Sequence, residues 1–261
     1  MKLGDKITVR DPASDDFGVP GQHIRPQVVD EHYCYHHNWW WRLLSAFIYY
    51  IVAPLPVHIM GWAHGLRFRN RAALRKAGGC YLYCNHTHWL DAVIPYLVSF
   101  PRRAYVVAGP TAFSIPVLRQ LVALLGGVPL NTTPAGKMAF REAIGQAVKR
   151  GDRVAIYPEA HEWPYYNGIR PFPPYAFTYP VHDEAPVVAG VVTYRRRRFF
   201  SKRAPHLTLT LSEPITPADW QGAADPKTAL RDTVHDFMCD TARQQASYAW
   251  VEYLSADGSP A

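Results

Sequence analysis

Cysteine is scarce: Cys34, Cys80, Cys84 and Cys239 are the four in 261 residues. That density excludes a disulfide-stapled scaffold. With no apolar signal stretch in MKLGDKITVRDPASDD, it points to a reducing compartment. Nothing repeats at a period of about 20 to 50 residues, which argues against a repeat array. No apolar run reaches the about 20 unbroken residues that a membrane-spanning helix needs. Acids are few beside bases, 21 against 28, which leaves a formal charge of +7. Such a balance favours anionic partners: nucleic acid, a membrane surface or phosphorylated substrates. What the chain has in quantity is apolar residues, 48%, enough for one sizeable core.

The stretch around which the rest is organised is CYLYCNHTHWLDAV, residues 80–93. It reads as an apolar strand, a polar turn at Asn85, His86 and Thr87, and then helical spacing at Trp89, Leu90, Val93, Ile94 and Leu97. A polar turn at the carboxyl end of a buried strand is where open α/β sheets place their chemistry. A neutral His86 can take a proton from an alcohol or amine as that group attacks an acyl carbonyl. Asp91 on the other ring nitrogen would fix the tautomer and steady the imidazolium. Along one continuous helix, five residues turn through roughly 140°, so the two side chains would diverge. They meet only if His86 lies before the helix, with Thr87 or Asn85 near its N-cap. With 12 His and 14 Asp, chance alone supplies roughly half a His-x4-Asp match. His235 and Asp240 form a second match inside an unbroken helical pattern, where they face different ways. A satisfied structural histidine is therefore the competing reading of His86 until the rest of the chain is weighed.

Residues 1–38 are polar and proline-bearing, and read as an irregular arm. His32, His36 and His37 near Cys34 match no zinc spacing. Residues 39–62, WWWRLLSAFIYYIVAPLPVHIMGW, read as a helix, a proline bend at Pro54 and Pro56, and a second short apolar segment. Trp and Tyr at the ends, with Arg42 inside, suit a segment lying in one leaflet rather than crossing it. A buried core helix is the other reading. Arg67, Arg69, Arg71, Arg75 and Lys76 follow, a cluster that suits anionic headgroups or, equally, a solvated helix face.

Beyond residue 63 strand and helix alternate. Strands are expected at 103–109, 128–130, 152–160, 186–194 and 206–215, and helices at 115–127 and 135–151. The whole predicts an α/β fold with a mainly parallel, mixed sheet flanked by helices over 63–255. Residues 161–181 read as an aromatic and proline-rich loop over the site, and 223–254 as a long helical tail. Tyr157 and Trp163 read as packing residues, and the arginines at 195–198 as a basic-aromatic surface.

Four features in this order, NHTHWLD (85–91), GGVPLN (126–131), YPEA (157–160) and APVVAGVV (185–192), resemble the glycerophospholipid acyltransferase superfamily, typified by lysophosphatidate acyltransferases. The likeness covers about residues 40–215. It implies a membrane-associated enzyme of phospholipid biosynthesis that moves a fatty acyl group from an acyl-CoA or acyl carrier protein thioester to a hydroxyl of a lysophospholipid or related lipid. His86 would be the general base and Asp91 its orienter, acting by direct attack without acyl-enzyme, metal or cofactor. Asn85, Glu159, Arg170 and Lys137 would lie on the acceptor side. The resemblance also implies a monotopic or peripheral protein on the cytoplasmic face of the cell membrane, with no nucleic-acid partner.

The departures are specific. The family's phosphate-binding Arg is Asn131 here, and its Gly-Thr-Arg after Pro-Glu is Ala160-His161-Glu162. Arg170 is the best substitute cation, ahead of Lys137 and Arg141. Pro-Glu, an aromatic insert, Arg-Pro and an Ala-Phe helix resemble a divergent bacterial branch. Three rivals stand beside this reading: a metal hydrolase using Cys80, Cys84, His86 and His88; a catalytically idle acyl- or lipid-binding protein that kept the fold; and a nucleic-acid binder using the arginine run.

Overall fold

The computed structural model describes all residues except 13, 18–32, 34, 36, 37, 110–112, 114, 115, 200, 201, 246, 247, 260 and 261, and gives the backbone alone for 116–118. His32, Cys34, His36 and His37 lie outside the described residues. In chain order the elements are β1 (Asp5–Thr8), α1 (Trp39–Phe47), α2 (Pro54–Ala63), β2 (Arg67–Arg69), α3 (Ala72–Ala77) and β3 (Cys80–Cys84). Next come α4 (Ile94–Ser99), β4 (Ala104–Ala108), α5 (Pro116–Leu124), β5 (Gly127–Pro129), α6 (Pro134–Lys149) and β6 (Arg153–Ile156). The chain closes with α7 (Thr178–Asp183), β7 (Val187–Arg195), β8 (His206–Leu211), α8 (Pro226–Gln245) and β9 (Val251–Leu254).

Seven strands form one sheet in the order β2-β8-β7-β3-β6-β4-β5. Five of them, β7, β3, β6, β4 and β5, run the same way; β8 is antiparallel to β7 and carries β2 parallel to itself. Parallel strands covered on both faces read as continuous apolar runs, and every residue of β3 and β6 is buried. The pleat divides them. Tyr81 and Tyr83 pack with Phe140, Ile144, Leu230 and Met238 beneath α6 and α8. Cys80, Leu82 and Cys84 pack with Leu74, Ile94 and Val98 beneath α3 and α4. Successive side chains thus feed two separate cores, as period-two alternation requires.

Residues 39–63 form the bent helical pair that the sequence predicts: α1 runs into a π-helical turn at Ile48–Val52, then bends by 45° into α2. Pro54 occupies the first turn of α2, where a missing N–H costs least. No single described helix is long and apolar enough to cross a membrane, although this bent pair is by length and composition together. One side of the pair is anchored. Tyr49 is fully buried and its hydroxyl accepts from the Ala104 N–H, while Ser45 Oγ donates to the Leu124 carbonyl. The other side exposes Trp39, Trp40, Leu43, Phe47, Ile51, Leu55 and Trp62.

Two expectations are corrected. The arm over 1–38 is not irregular throughout, because β1 pairs in parallel with β9. The tail over 223–254 is not helical to its end, because α8 stops at Gln245 and 251–254 is extended. The cause is the same in both cases. Val251 and Tyr253 alternate with exposed Glu252, and their buried faces pack with Val9, Trp163 and Trp250. That small cluster places both chain ends against the loop after β6.

At the entry to β3 the backbone passes so close to the end of α6 that a Cβ on Gly79 would lie 1.9 Å from the Val148 carbonyl oxygen. Gly79→Ala is therefore expected to cost about 1–3 kcal/mol, read as a lower urea midpoint. A wild-type midpoint would show that the two segments separate freely.

Candidate active site

The site grows out of the end of β3. After Cys84 the chain leaves the sheet at 85–88 and re-enters helical geometry as one 3₁₀ turn, Trp89–Ala92. His88, not Thr87 or Asn85, is its N-cap: the His88 Nδ1 accepts the Leu90 N–H at 3.1 Å. Asn85 is needed elsewhere. Its side chain accepts from the Val192 N–H and donates to the Val192 carbonyl, which ties the turn to β7. Tyr194 donates to Thr87 from the same strand.

His86 therefore precedes the helical turn, and Asp91 lies within it. Asp91 Oδ2 accepts from His86 Nδ1 at 2.9 Å, from the Thr87 N–H at 2.8 Å and from the His88 N–H at 3.0 Å. The Asp91 side chain is 1% exposed and that of His86 24% exposed. A buried carboxylate needs such donors, and the arrangement leaves Nε2 as the ring nitrogen free to exchange a proton. Burial opposes the protonated ring. The hydrogen bond and charge of Asp91, with Glu162 and Glu159, outweigh it and raise the His86 pKa.

The loop after β6 closes over this turn. The Trp163 N–H donates to the His86 carbonyl at 3.1 Å, and the Tyr165 N–H to the Thr87 carbonyl at 2.8 Å. Tyr157 stacks obliquely on the His86 ring at 4.7 Å and donates its hydroxyl to the Asp91 carbonyl. Burial pushes the Glu162 carboxyl up to about 7; His86 opposes that rise, and Asp91 and Asp16 add to it. The arm contributes here too, for the Phe17 N–H bonds the Glu162 carbonyl and Asp15 accepts from the Trp163 indole.

Glu159 and Arg170 meet, but not where an acceptor would meet them. Arg170 is 3% exposed, and it donates to Glu159 at 3.1 and 3.3 Å, donates to the His161 carbonyl and stacks on Trp163. Glu159 in turn receives the His86 N–H at 3.4 Å. A buried guanidinium must be paired, and Glu159 takes Arg170, the expected substitute phosphate ligand. Glu159 and Asn85 likewise bond backbone groups, Glu159 the His86 N–H and Asn85 both groups of Val192. Lys137 is exposed on the first turn of α6, which follows the carboxyl end of β5, so it lies at the same sheet edge as His86. Asn131 is buried and accepts from the Thr133 N–H and hydroxyl at the start of α6.

His235 and Asp240 do not pair: His235 packs on Phe172 and Cys239, and Asp240 pairs with Arg243. Among the described residues no three His, Cys, Asp or Glu side chains gather closely enough to hold a metal ion, so Cys80, Cys84, His86 and His88 do not form a donor set. Burial raises the thiols of both Cys80 and Cys84. Sequence reasoning missed His88 as the cap and Tyr157 as the ring beside His86. The position of Tyr157 one residue before Pro-Glu, at the end of the strand next to β3, was the available signal.

A family model described as Acyltransferase matches residues 65–217. The solved structure of the 1-acyl-sn-glycerophosphate (LPA) acyltransferase, PlsC, from Thermotoga maritima superposes with a TM-score of 0.55 at 14% identity, covering 78% of this chain and 88% of that chain. No curated protein sequence matches this chain.

The Glu159–Arg170 pair generates a stability test. Arg170→Ala strands a buried carboxylate beside His86 and is expected to cost about 3–5 kcal/mol. Glu159→Gln combined with Arg170→Met removes both charges and should recover much of that loss in urea unfolding. A double variant no more stable than Arg170→Ala would mean that the charges themselves are needed.

Proposed function

The chain belongs to the acyltransferase family, and from that premise we propose that it transfers a fatty acyl group from a thioester, on coenzyme A or acyl carrier protein, to a lipid hydroxyl at a membrane surface. The observation that carries this reading is the Asp91–His86 hydrogen bond with the second imidazole nitrogen left available. As the acceptor oxygen attacks the thioester carbonyl carbon, its proton passes to His86 Nε2. The tetrahedral intermediate collapses, the C–S bond breaks, and the imidazolium returns the proton to the departing thiolate. Asp91 keeps Nδ1 protonated and offsets the positive charge while it exists. A thioester is already activated, so proton removal and positioning are the main tasks, and no acyl-enzyme is required.

The surroundings support a lipid acceptor. Trp89, half-exposed within the site turn, lies 5.3 Å edge-on from His64 at the end of α2. The end of α2, with its exposed Trp62, therefore adjoins the turn that carries His86, and a monotopic protein lying in one leaflet would present the site to lipid headgroups. The face is the cytoplasmic one, where both thioester donors are found. With Arg170 spent on Glu159, Lys137 is the cation we assign to an acceptor phosphate.

The deciding experiment supplies purified protein in detergent with acyl-CoA and acyl carrier protein thioesters and a total lipid extract, and follows new acylated lipids by mass spectrometry. His86→Ala is expected to lower their formation by at least about 100-fold. Donor bound but never consumed, or product formed equally by the variant, would sink the catalytic reading in favour of an idle acyl or lipid binder.

The pH profile adds a second check. The neutral ring is the base and its pKa is raised, so kcat/KM should fall toward acid along a limb lying above the ordinary histidine value. Glu162→Gln removes a nearby negative charge that favours the imidazolium, and should move that limb to lower pH. A limb that stays in place would show that Glu162 does not act on His86.

A further inference from the structure

A second polar site lies at the opposite edge of the sheet. Gly78, Arg102, Gly151 and Arg153 flank the amino ends of β3, β4 and β6, whereas His86 and Glu159 follow the carboxyl ends of β3 and β6. One strand length, on the order of 15 Å, separates the two edges. Here a half-open cleft of about 440 Å³ is lined by Arg71, Arg75, Arg102 and Arg153, with Ser99 and Phe100, and by no carboxylate.

The four arginines divide by what they bond. Arg71 is structural: it donates to the carbonyls of Val98 at 2.7 Å, Leu97 at 3.3 Å and Phe100 at 2.6 Å, closing the end of α4. Arg153 is 4% exposed and donates to the carbonyls of Gly151 and Leu74, but its Nε has no partner among the described residues. Ser99 is 6% exposed, and its Oγ also lacks one. Arg75 and Arg102 are exposed, and neither guanidinium forms a hydrogen bond or ion pair with a described residue. Asp152, whose charge also acts on Arg153, pairs with Arg150 at 3.6 Å, and Glu213 pairs with Lys76 at 2.8 Å.

Four cations around one cleft repel one another. Arg75 adds to burial in lowering the Arg71 pKa, and Arg102 adds to burial at Arg153, where Cys80, Asp152 and Tyr49 act the other way. Two unengaged guanidiniums, a buried N–H and a buried hydroxyl in its wall are what a tetrahedral oxyanion satisfies. We propose that this cleft binds a phosphate-type oxyanion, separately from the acyl-transfer site. A free phosphate and the phosphodiester of a phospholipid headgroup share that chemistry. Position bears on the second source, because Phe100 also packs against Tyr50 and His58 of the bent helical pair, with ring centroids at 6.3 and 5.6 Å.

The test uses the full chain and two probes. Inorganic phosphate is titrated calorimetrically, and vesicles of phosphatidylcholine, with and without phosphatidylglycerol, are scored by co-sedimentation. The variant is Arg75→Ala with Arg102→Ala. The control is Arg196→Ala with Arg198→Ala, which removes the same charge from the exposed run beyond β7. Melting curves verify that both are folded.

The cleft variant is expected to lose at least about tenfold in affinity for inorganic phosphate or for phosphatidylglycerol vesicles, while the control changes by less than about twofold. Loss for phosphate identifies a soluble anion site. Loss for vesicles alone identifies a headgroup site. Equal losses in variant and control would reduce the effect to bulk charge and overturn the proposal, as would binding of both probes unchanged by the cleft variant.

Discussion

One carboxylate oxygen holds the site together. Asp91 Oδ2 receives three N–H groups, two from the backbone of Thr87 and His88 and one from the His86 ring. An ionised carboxylate this deeply buried is stable only with donors of that number and quality. Those donors exist only if the chain leaves β3, turns through four residues and starts its helix late. The hydrogen bond to His86 and the backbone shape of the turn are therefore one constraint. The His88 cap, the Asn85 clamp on β7 and the Tyr157 hydroxyl on the Asp91 carbonyl all serve to keep that oxygen where its donors converge.

The loop after β6 depends on the turn in the same way. Its backbone pairs with the His86 and Thr87 carbonyls, and Glu159 returns a bond to the His86 N–H. Glu159 carries a charge that its surroundings cannot solvate, so Arg170 is drawn in from eleven residues away to neutralise it. The loop is thereby fixed by electrostatics at its base and by aromatic packing at its crest, where Trp163 stacks on Tyr253 of β9 at 5.1 Å. That contact explains why the two chain ends form a small sheet of their own at this place.

Much of this was legible in the sequence because its signals are local. The apolar run of β3, the proline bend after α1 and the separation of His86 from Asp91 by a turn are each written within a dozen residues. The β1–β9 pair was not legible, since two four-residue strands nearly 250 residues apart carry no periodicity of their own. The pairing of Arg170 was not legible for a different reason. Its position after the loop was right, but spacing does not say whether a guanidinium points outward to a ligand or inward to Glu159; only the burial of its surroundings decides that. His88 was passed over as a cap because hydroxyl and carboxamide side chains dominate that position, and a ring nitrogen does the same work here.

The distribution of charge follows from these choices. A chain of net charge +7 gathers Asp91, Glu159, Glu162 and Asp16 around His86. Within that group Arg170 is spent on Glu159. Nearby negative charge favours the protonated form of an imidazole, and this cluster of cations lies elsewhere. Arg71, Arg75, Arg102 and Arg153 surround the opposite edge of the sheet. Electrostatic attraction to an anionic surface falls off over about 8–10 Å at physiological salt. Cations one strand length from His86 can attract such a surface while barely lowering the pKa of its imidazole. Separating the two along the sheet lets a strongly basic protein keep an acidic site, which a single mixed cluster would not allow.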